Sequence, residues 1–175
     1  MHQTVIDFLE EVKSTYPFAF KGCRVLDVGS IDINGTNKKM FERCNYIGID
    51  LIEGKNVDKV TPCHEMTGEF DTIISTEAFE HDKYLCESLI NICRMLRTGG
   101  FFIFTCATLG RQEHGTKSKL PQDSATTQIK GWEDYYRNVT RKMVEPYIKD
   151  YFRYYEFTTK NTDLQFVGVR NHKEV

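Results

Sequence analysis

The sequence predicts an α/β fold: a mostly parallel sheet with helices on both faces and an antiparallel strand at the C-terminal end. Two observations lead to this prediction. Between residues 24 and 106, short β-branched apolar runs alternate with segments of helical periodicity, which is typical of βαβ units. Near the C-terminus, two further strand-like runs follow each other at hairpin spacing. The length of 175 residues fits one domain, so we expect a single unit over 1–175.

The individual elements follow from periodicity and from the residues that start and stop them. Three helices are expected, over residues 2–14, 36–44 and 82–97. Strands are expected over residues 24–28, 46–50, 57–60, 70–75 and 101–106, with a hairpin over 154–159 and 164–170. Thr36 has the side chain of an N-cap for the second helix, and Gly99-Gly100 is expected to stop the third.

A polar segment, residues 107–139, separates the predicted parallel strands from the C-terminal part. It is rich in Gly, Thr, Gln and charged residues and shows little periodicity. Stretches of this length without regular structure are uncommon in a compact domain and often form lids or binding segments. We therefore expect residues 107–139 to form a lid over a ligand site, and we call them the lid segment.

Composition and charge argue against several classes of protein. The 23 Lys and Arg against 25 Asp and Glu give a net charge of -2, which disfavours a protein that holds nucleic acid by neutralising phosphates. No apolar run approaches the ~20 residues that span a membrane, and acidic residues within the first ten positions predict no secretory signal. The six cysteines form no CxxC pair, which predicts free thiols, no zinc site and a cytoplasmic location.

Two acidic residues end the first two predicted strands, at the edge of the sheet where α/β proteins bind ligands. Asp27 and the turn residue Gly29 close the first strand, and Asp50 closes the second. Asp50 lies 21 positions beyond Gly29, the spacing at which an acidic residue binds the hydroxyls of a ribose. The sequence therefore predicts a ligand that contains a ribose.

The loop after the first strand indicates which ligand this is. No lysine follows Gly35, which excludes a P-loop, and Ile31 stands where a dinucleotide-binding loop has its second glycine. Asp27 and Asp32 would repel phosphates. S-adenosylmethionine has a ribose, no phosphate and two positively charged groups, so it is the cofactor that we expect.

Four segments resemble the successive motifs of a known family: VLDVGSIDINGT, YIGIDLIEG, FDTIISTEAFEHD and LRTGGFFIFTC. The family is the class I S-adenosylmethionine-dependent methyltransferases, in the subgroup called type 11. The resemblance covers about residues 22–106 and the terminal hairpin. It implies a Rossmann-like, seven-stranded methyltransferase sheet whose last strand is antiparallel. The sequence departs from the family in its glycine loop, where the second glycine is displaced to Gly35.

The resemblance also implies which residues bind the cofactor. They are Asp27, Gly29 and Ser30 after the first strand, Asp50 and Leu51 after the second, Cys63 or His64 at the adenine edge, and Thr76 below the methionine moiety. In this assignment Asp50 binds the ribose and Leu51 packs on the adenine, while Asp27 and Gly29 line the methionine end.

Acidic and histidine side chains follow the fourth predicted strand and are candidates for catalysis. Glu77, Glu80 and His81 would share one face if a helix began there, and any of them could act as a base. His114 of the lid segment is a further catalytic candidate. Glu77-x-x-Glu80-His81 also resembles the element by which small-RNA 2′-O-methyltransferases and some quinone-pathway O-methyltransferases hold a metal, with His114 as a fourth ligand. Whether a metal binds is open at this point.

The expected function is therefore methyl transfer to a small-molecule or sugar-containing (glycan) acceptor, at oxygen, with the lid segment binding the acceptor. Arg111, Tyr136 and Arg137 would face an acceptor that carries hydroxyl or anionic groups. Three alternatives stay open. They are an RNA-directed 2′-O-methyltransferase with or without a metal, an NAD-dependent oxidoreductase, and a catalytically silent protein that binds the donor.

Overall fold

Seven strands form one mixed sheet in the computed structural model, which describes residues 2–171. The strands are β1 (Arg24–Val28), β2 (Asn45–Asp50), β3 (Lys59–Val60), β4 (Phe70–Thr76), β5 (Leu96–Ala107), β6 (Phe152–Lys160) and β7 (Asp163–Arg170). Their order across the sheet is β3-β2-β1-β4-β5-β7-β6. The first five run parallel, and β7 lies antiparallel between β5 and β6. This confirms the predicted fold class, including the antiparallel strand and the C-terminal hairpin.

Three helices cover the sheet: α1 (Gln3–Thr15), α2 (Leu85–Met95) and α3 (Arg141–Ile148). Successive side chains of a strand point to opposite faces, and β1 shows the consequence. Val25 packs in the cluster that contains the apolar side of α1, whereas Leu26 packs in the cluster that contains α2 and α3. The sheet therefore has helices on both faces, as predicted. Within residues 2–171, no helix has the length and apolar character needed to cross a membrane.

The helix predicted over 36–44 is wrong. Only a 3-10 turn, Asn37–Met40, forms there, although Thr36 caps it as predicted by accepting a hydrogen bond from Lys38 N–H at 3.1 Å. Phe41 is already extended, and its ring stacks on Phe20 with 4.9 Å between centroids. The segment follows its tertiary contacts instead of its local helical pattern.

The boundary between α2 and β5 also differs from the prediction. Helix α2 ends at Met95 and β5 begins at Leu96, so Gly99-Gly100 lies inside the strand and does not stop the helix. The pairing register of β4 and β5 shifts between Phe70 and Thr72, and Gly99 has a φ of 76°. These glycines therefore belong to an irregularity of the ladder, for which a positive φ is typical.

The lid segment contains two 3-10 turns, Pro121–Asp123 and Ala125–Gln128, and neither a helix nor a strand. Its two ends are fixed by backbone hydrogen bonds to the sheet. Thr108 N–H donates to the carbonyl of Thr162 at 2.8 Å, and Val139 N–H donates to the carbonyl of Ala107 at 2.8 Å. The segment thus leaves the sheet at the end of β5 and returns to the same place.

Candidate active site

A cavity of about 260 Å³ opens at the carboxyl ends of β1, β2 and β4. The chain runs from β1 to β2 on one side and then crosses to β4 on the other side of β1. The cavity therefore lies at the topological switch point of the sheet, where open α/β proteins bind their ligands. Of the eight residues predicted to bind the cofactor, seven line the cavity: Asp27, Gly29, Ser30, Asp50, Leu51, Cys63 and Thr76.

The turn after β1 requires glycine. Gly29 has a φ of 76°, and a Cβ placed on it would lie 2.4 Å from the Cβ of Ala78. The N–H groups of Gly29 and Ser30 both donate to the carbonyl of Ile49 on β2 at 3.0 Å. Ser30 Oγ donates to the carbonyl of Asn56 at 3.0 Å. The glycine loop is thereby fixed against β2 and the loop that follows it.

Asp50 is oriented by the backbone at the end of β2. Its Oδ2 accepts a hydrogen bond from Ile31 N–H at 3.1 Å, and its Oδ1 accepts one from Leu51 N–H at 2.7 Å. A carboxylate oxygen can accept two hydrogen bonds, so both oxygens keep the capacity to accept a hydroxyl. Burial raises the pKa of Asp50, and the two backbone N–H groups counteract that rise. The arrangement suits the two hydroxyls of a ribose.

Asp27 lies at the bottom of the cavity in a network that the sequence analysis missed. Its carboxylate accepts hydrogen bonds from the Tyr46 hydroxyl and from Asn37 Nδ2, the latter at 3.1 Å. The same Asn37 amide donates to Thr76 Oγ1 at 3.0 Å. Burial raises the pKa of Asp27 to about 7, although both hydrogen bonds lower it. Asn37 follows the capping Thr36 in sequence, and no local pattern shows that its side chain turns inward.

The charged side chains that line the cavity are acidic and not basic. Among the described residues that line it, five are acidic and none is a lysine or an arginine: Asp27, Asp50, Glu77, Asp82 and Asp123. Asp32 does not line the cavity, because it lies against Lys55 with 2.7 Å between its Oδ2 and Nζ. Of the two acidic residues predicted to repel phosphates, only Asp27 therefore lines the cavity. The cavity favours a cationic or neutral ligand over one with phosphates.

The lid segment and the N-terminus supply the outer wall of the cavity. Asp123–Thr126, His114 and Trp132 line it from the lid, and His2 lines it from the residue before α1. Ser124 Oγ and Thr126 Oγ1 are hydrogen-bonded to each other at 2.8 Å. The sequence analysis identified the segment but not Ser124 or Thr126, since neither stands in a recognisable motif.

No helix begins after β4, so Glu77, Glu80 and His81 do not share a helix face. Glu77 has a φ of 53°, and only a 3-10 turn, Phe79–His81, follows it. Its Oε1 accepts from Thr105 Oγ1 at 3.0 Å, and its Oε2 accepts from Arg111 at 3.2 Å. The predicted common face is therefore wrong, although Glu77 and His81 both line the cavity.

Arg111 does not line the cavity, contrary to the expectation that it faces an acceptor. Its guanidinium is paired with Glu77 and Asp163. Tyr136 packs behind the site, with its ring centroid 5.5 Å from that of His81, and Arg137 lies over the ring of Tyr135. These three side chains support the cavity wall from outside.

Glu80, His81 and His114 converge on one point. One potential ligand atom from each lies within 4.8 Å of the others. Glu80 Oε2 and both ring nitrogens of His81 are buried and lack a hydrogen-bond partner. His114 Nδ1 is 3.1 Å from the carbonyl of Gln112, which leaves Nε2 available, 4.0 Å from Glu80 Oε1. Buried polar atoms without a partner are uncommon in proteins, and three of them lie together here.

Burial sets the protonation of this cluster in the absence of a cation. It lowers the pKa of His81 to about 4, with a smaller contribution from His114, and it raises the pKa of Glu80. The His81 ring is thus neutral at physiological pH, and its free nitrogen can accept a proton or ligate a metal. The donor set of one carboxylate and two imidazoles fits a divalent transition metal.

His64 is the one predicted cofactor-binding residue that does not line the cavity. Its ring lies against Tyr84, with 4.5 Å between centroids, and Nε2 is 3.7 Å from Glu65. Its neighbour Cys63 does line the cavity. The resemblance offered Cys63 or His64 for the adenine edge, and of these two only Cys63 lines the cavity.

Comparisons with known proteins were made by sequence and by structure. No protein-family model matches this chain, and no curated protein sequence matches it. A methyltransferase from Burkholderia thailandensis, 1,6-didemethyltoxoflavin-N1-methyltransferase with bound 1,6-didemethyltoxoflavin and S-adenosylhomocysteine, superposes with a TM-score of 0.62. The identity is 13%, and the match covers 97% of this chain and 82% of the other.

Two further solved structures are similar to the chain. Phosphoethanolamine N-methyltransferase 2 of Haemonchus contortus, with phosphomonomethylethanolamine and S-adenosylhomocysteine, has a TM-score of 0.60 at 16% identity. That match covers 93% of this chain but only 53% of the other. An S-adenosylmethionine-dependent methyltransferase of Clostridium acetobutylicum has a TM-score of 0.60 at 11% identity, covering 94% and 90%. This chain has the fold of the class I S-adenosylmethionine-dependent methyltransferases.

Proposed function

We propose that this protein is an S-adenosylmethionine-dependent methyltransferase that methylates an oxygen of a small-molecule or sugar-containing acceptor. The observation that carries the proposal is the cavity at the switch point, whose described lining holds five carboxyl groups and no lysine or arginine. A sulfonium cofactor without phosphates suits such a cavity, whereas the pyrophosphate of NAD does not. Solved proteins of the same fold contain S-adenosylhomocysteine, which supports the proposal.

Five of the seven cavity residues receive the specific roles that the resemblance implies. Asp50 binds the ribose through its two backbone-oriented oxygens, and Leu51 and Cys63 pack against the adenine. Gly29 lets the methionine moiety approach the backbone, and Asp27 attracts its ammonium group.

The same cavity supports the choice of acceptor. A substrate with phosphates would meet an acidic lining that holds no lysine or arginine among the described residues, which disfavours the RNA-directed alternative and favours a neutral acceptor. In the single domain proposed for 1–175, the lid segment has to supply the recognition of the acceptor. The six free thiols favour the cytoplasm as the place where the protein works.

Methyl transfer is an in-line displacement, so positioning provides much of the acceleration. His81 offers an unprotonated ring nitrogen on the cavity wall, where it can accept the proton of an acceptor hydroxyl. Ser124 and Trp132 of the lid segment line the outer side of the cavity. Glu77 is held by Arg111 and fixes the turn from which His81 projects.

A second candidate, cation-assisted transfer, rests on the convergence of Glu80, His81 and His114. A divalent cation would be held by Glu80 Oε2 and a ring nitrogen of His81, neither of which has a hydrogen-bond partner, together with His114 Nε2. A cation bound there would lower the pKa of an acceptor hydroxyl that coordinates to it. His81 then acts as a ligand instead of a base, because its ring cannot do both with the same nitrogen.

Titration calorimetry with S-adenosylmethionine and with NAD tests the cofactor. We expect measurable binding of S-adenosylmethionine and none of NAD. Asp50→Ala removes both acceptors for the ribose and should weaken binding by about tenfold or more, since hydrogen bonds to a charged group contribute about 1.5–3 kcal/mol each. Asp134→Ala, a change of the same kind on the exposed part of the lid segment, should leave the affinity unchanged. No binding of S-adenosylmethionine, or equal binding by both variants, contradicts the proposal.

The acceptor and the cation are tested by transfer of a labelled methyl group to pools of hydroxylated metabolites, glycans and RNA. We expect a product whose new methyl group is bound to oxygen. Prolonged treatment with a chelator separates the two candidate mechanisms. Activity that disappears and returns with a divalent cation, in parallel with loss of activity in His114→Ala, supports the second one. Activity that survives chelation supports His81 as the base.

A further inference from the structure

Two cysteine thiols face each other at the amino-terminal edge of the sheet, away from the cavity. Cys23 immediately precedes β1 and Cys44 immediately precedes β2. Their Sγ atoms are 3.3 Å apart, and Cys23 N–H donates to Cys44 Sγ at 3.5 Å. Neither residue takes part in the proposed methyl transfer.

The register of β1 and β2 makes the two cysteines direct partners. Arg24 pairs with Asn45, an offset of 21 positions that also relates Cys23 to Cys44. A parallel bridge two positions before Cys23 has the same offset, so the two segments run side by side there as well. Neighbouring strands lie about 4.8 Å apart, within the Cα separation of about 4.4–6.8 Å that a disulfide needs. The backbone is already in the right place for a bond between the two sulfurs.

We propose that Cys23 and Cys44 are a redox modification site, which a low-molecular-weight disulfide such as glutathione disulfide converts into an intramolecular disulfide. In the first step the Cys44 thiolate attacks one sulfur of glutathione disulfide and releases one glutathione. In the second step Cys23 loses its proton to water, its sulfur attacks Cys44 Sγ, and the second glutathione leaves. The two protein thiols are oxidised, and one glutathione disulfide is reduced to two glutathione molecules.

The surroundings of the two thiols decide which one reacts first. Cys44 is half-buried, whereas Cys23 is buried. The Sγ of Cys23 donates to the carbonyl of Ala19 at 3.3 Å. Burial and the contact with Cys44 raise the pKa of the Cys23 thiol above its usual range. An external disulfide therefore meets Cys44 first, and Cys23 resolves the mixed disulfide from a contact distance that already exists.

The bond would join two strands that carry the proposed cofactor site at their opposite ends. Asp27 and Asp50 lie at the carboxyl ends of β1 and β2, so the bond stiffens this pair of strands without entering the cavity. A cross-link also restricts the unfolded chain. We expect the oxidised protein to melt at a temperature higher by on the order of 5 °C.

Peptide mapping of the intact chain tests the proposal without any mutation. The reduced protein is incubated with glutathione disulfide, alkylated, digested with trypsin and analysed by mass spectrometry without reduction. We expect a peptide that joins residues 22–24 to residues 44–55 by a disulfide, and two fewer alkylated cysteines. A stable adduct of glutathione on Cys44, or a disulfide between other cysteines, would overturn the proposal.

Two single substitutions provide a matched comparison, because each leaves five of the six thiols. Cys86→Ser removes a half-buried thiol of α2 and should retain both the internal disulfide and the rise in melting temperature. Cys44→Ser should form no internal disulfide and show no rise. The same rise in both variants would show that oxidation acts elsewhere in the molecule, which also overturns the proposal.

Discussion

Asp27 belongs to the proposed cofactor site, and its ionisation is expected to change the stability of the fold. It is 1% exposed, and burial raises its pKa from 3.8 to about 7. A raised pKa in the folded state means that this state binds the proton more tightly than the unfolded chain does. The contribution of Asp27 to stability is therefore greatest below pH 4, decreases as the pH rises toward 7, and is constant above that. The full difference is on the order of 4 kcal/mol.

Asp27→Asn should remove this dependence, because an amide does not ionise. We expect the melting temperature of the wild-type protein to fall more steeply from pH 5 to pH 8 than that of the variant. Asp134→Asn, at an exposed position, should follow the wild-type curve. Thermal unfolding followed by circular dichroism at several pH values measures the difference. Parallel curves for wild type and Asp27→Asn would show that Asp27 is ionised throughout this range.

The lid segment is the element that brings the two halves of the proposed catalytic cluster together. His114 belongs to the lid, whereas Glu80 and His81 follow β4. Arg137 N–H donates to the carbonyl of Glu80 at 2.9 Å, which ties the lid to the turn that carries His81. Gly115 lies next to His81, and the close approach explains why a glycine stands there.

Gly115→Ala should disturb the cluster and leave the cofactor site intact. An added Cβ would lie 2.7 Å from His81 Cε1 and 2.6 Å from Ser124 Cβ, at a φ of 59°. We expect a fall in kcat of about tenfold or more, since small misplacements of reacting groups are costly, and less than about a twofold change in the Kd for S-adenosylmethionine. Gly131→Ala is the matched control. Its φ of 85° imposes a similar backbone strain, but no atom lies within 4 Å of the added Cβ. Equal loss of kcat in both variants would indicate strain in the lid and no specific effect on His81.

Sequence patterns within a short segment predicted the strands that consist of such a pattern. Apolar runs with β-branched residues identified β1, β2 and β4, and the positions of Gly29 and Asp50 located the cavity. The helix over 36–44 was wrong because the side chain of Asn37 is bound to Asp27 and Thr76, an interaction that no periodicity reveals. The lid segment was predicted to cover a ligand site, but the side chains that line the cavity from it, such as Ser124 and Thr126, could not be derived from sequence. His81 and His114 meet through tertiary contacts between segments that are distant in the chain.

At the scale of the whole molecule, one arginine joins four separate parts of the chain. Arg111 of the lid segment pairs with Glu77 after β4, at 3.2 Å, and with Asp163 at the start of β7. Asp163 in turn accepts a hydrogen bond from Thr4 Oγ1 of α1 at 2.5 Å. The Asp163 side chain is 3% exposed, and burial together with Asp163 raises the pKa of Glu77. Without Arg111, two carboxylates would face each other in a buried place.

Arg111→Ala should therefore destabilise the fold by up to about 3–5 kcal/mol, the range for removing one partner from a buried ion pair, because Asp163 is buried although Arg111 is only partly so. Arg141→Ala breaks an exposed pair with Glu145 and should have a much smaller effect. Urea denaturation measures both free energies of unfolding. Adding Asp163→Asn to Arg111→Ala tests the cause, because it removes one of the two unpaired charges while preserving the shape of the side chain. The double variant should regain part of the lost stability, whereas a further loss would show that Arg111 acts through packing and not through charge.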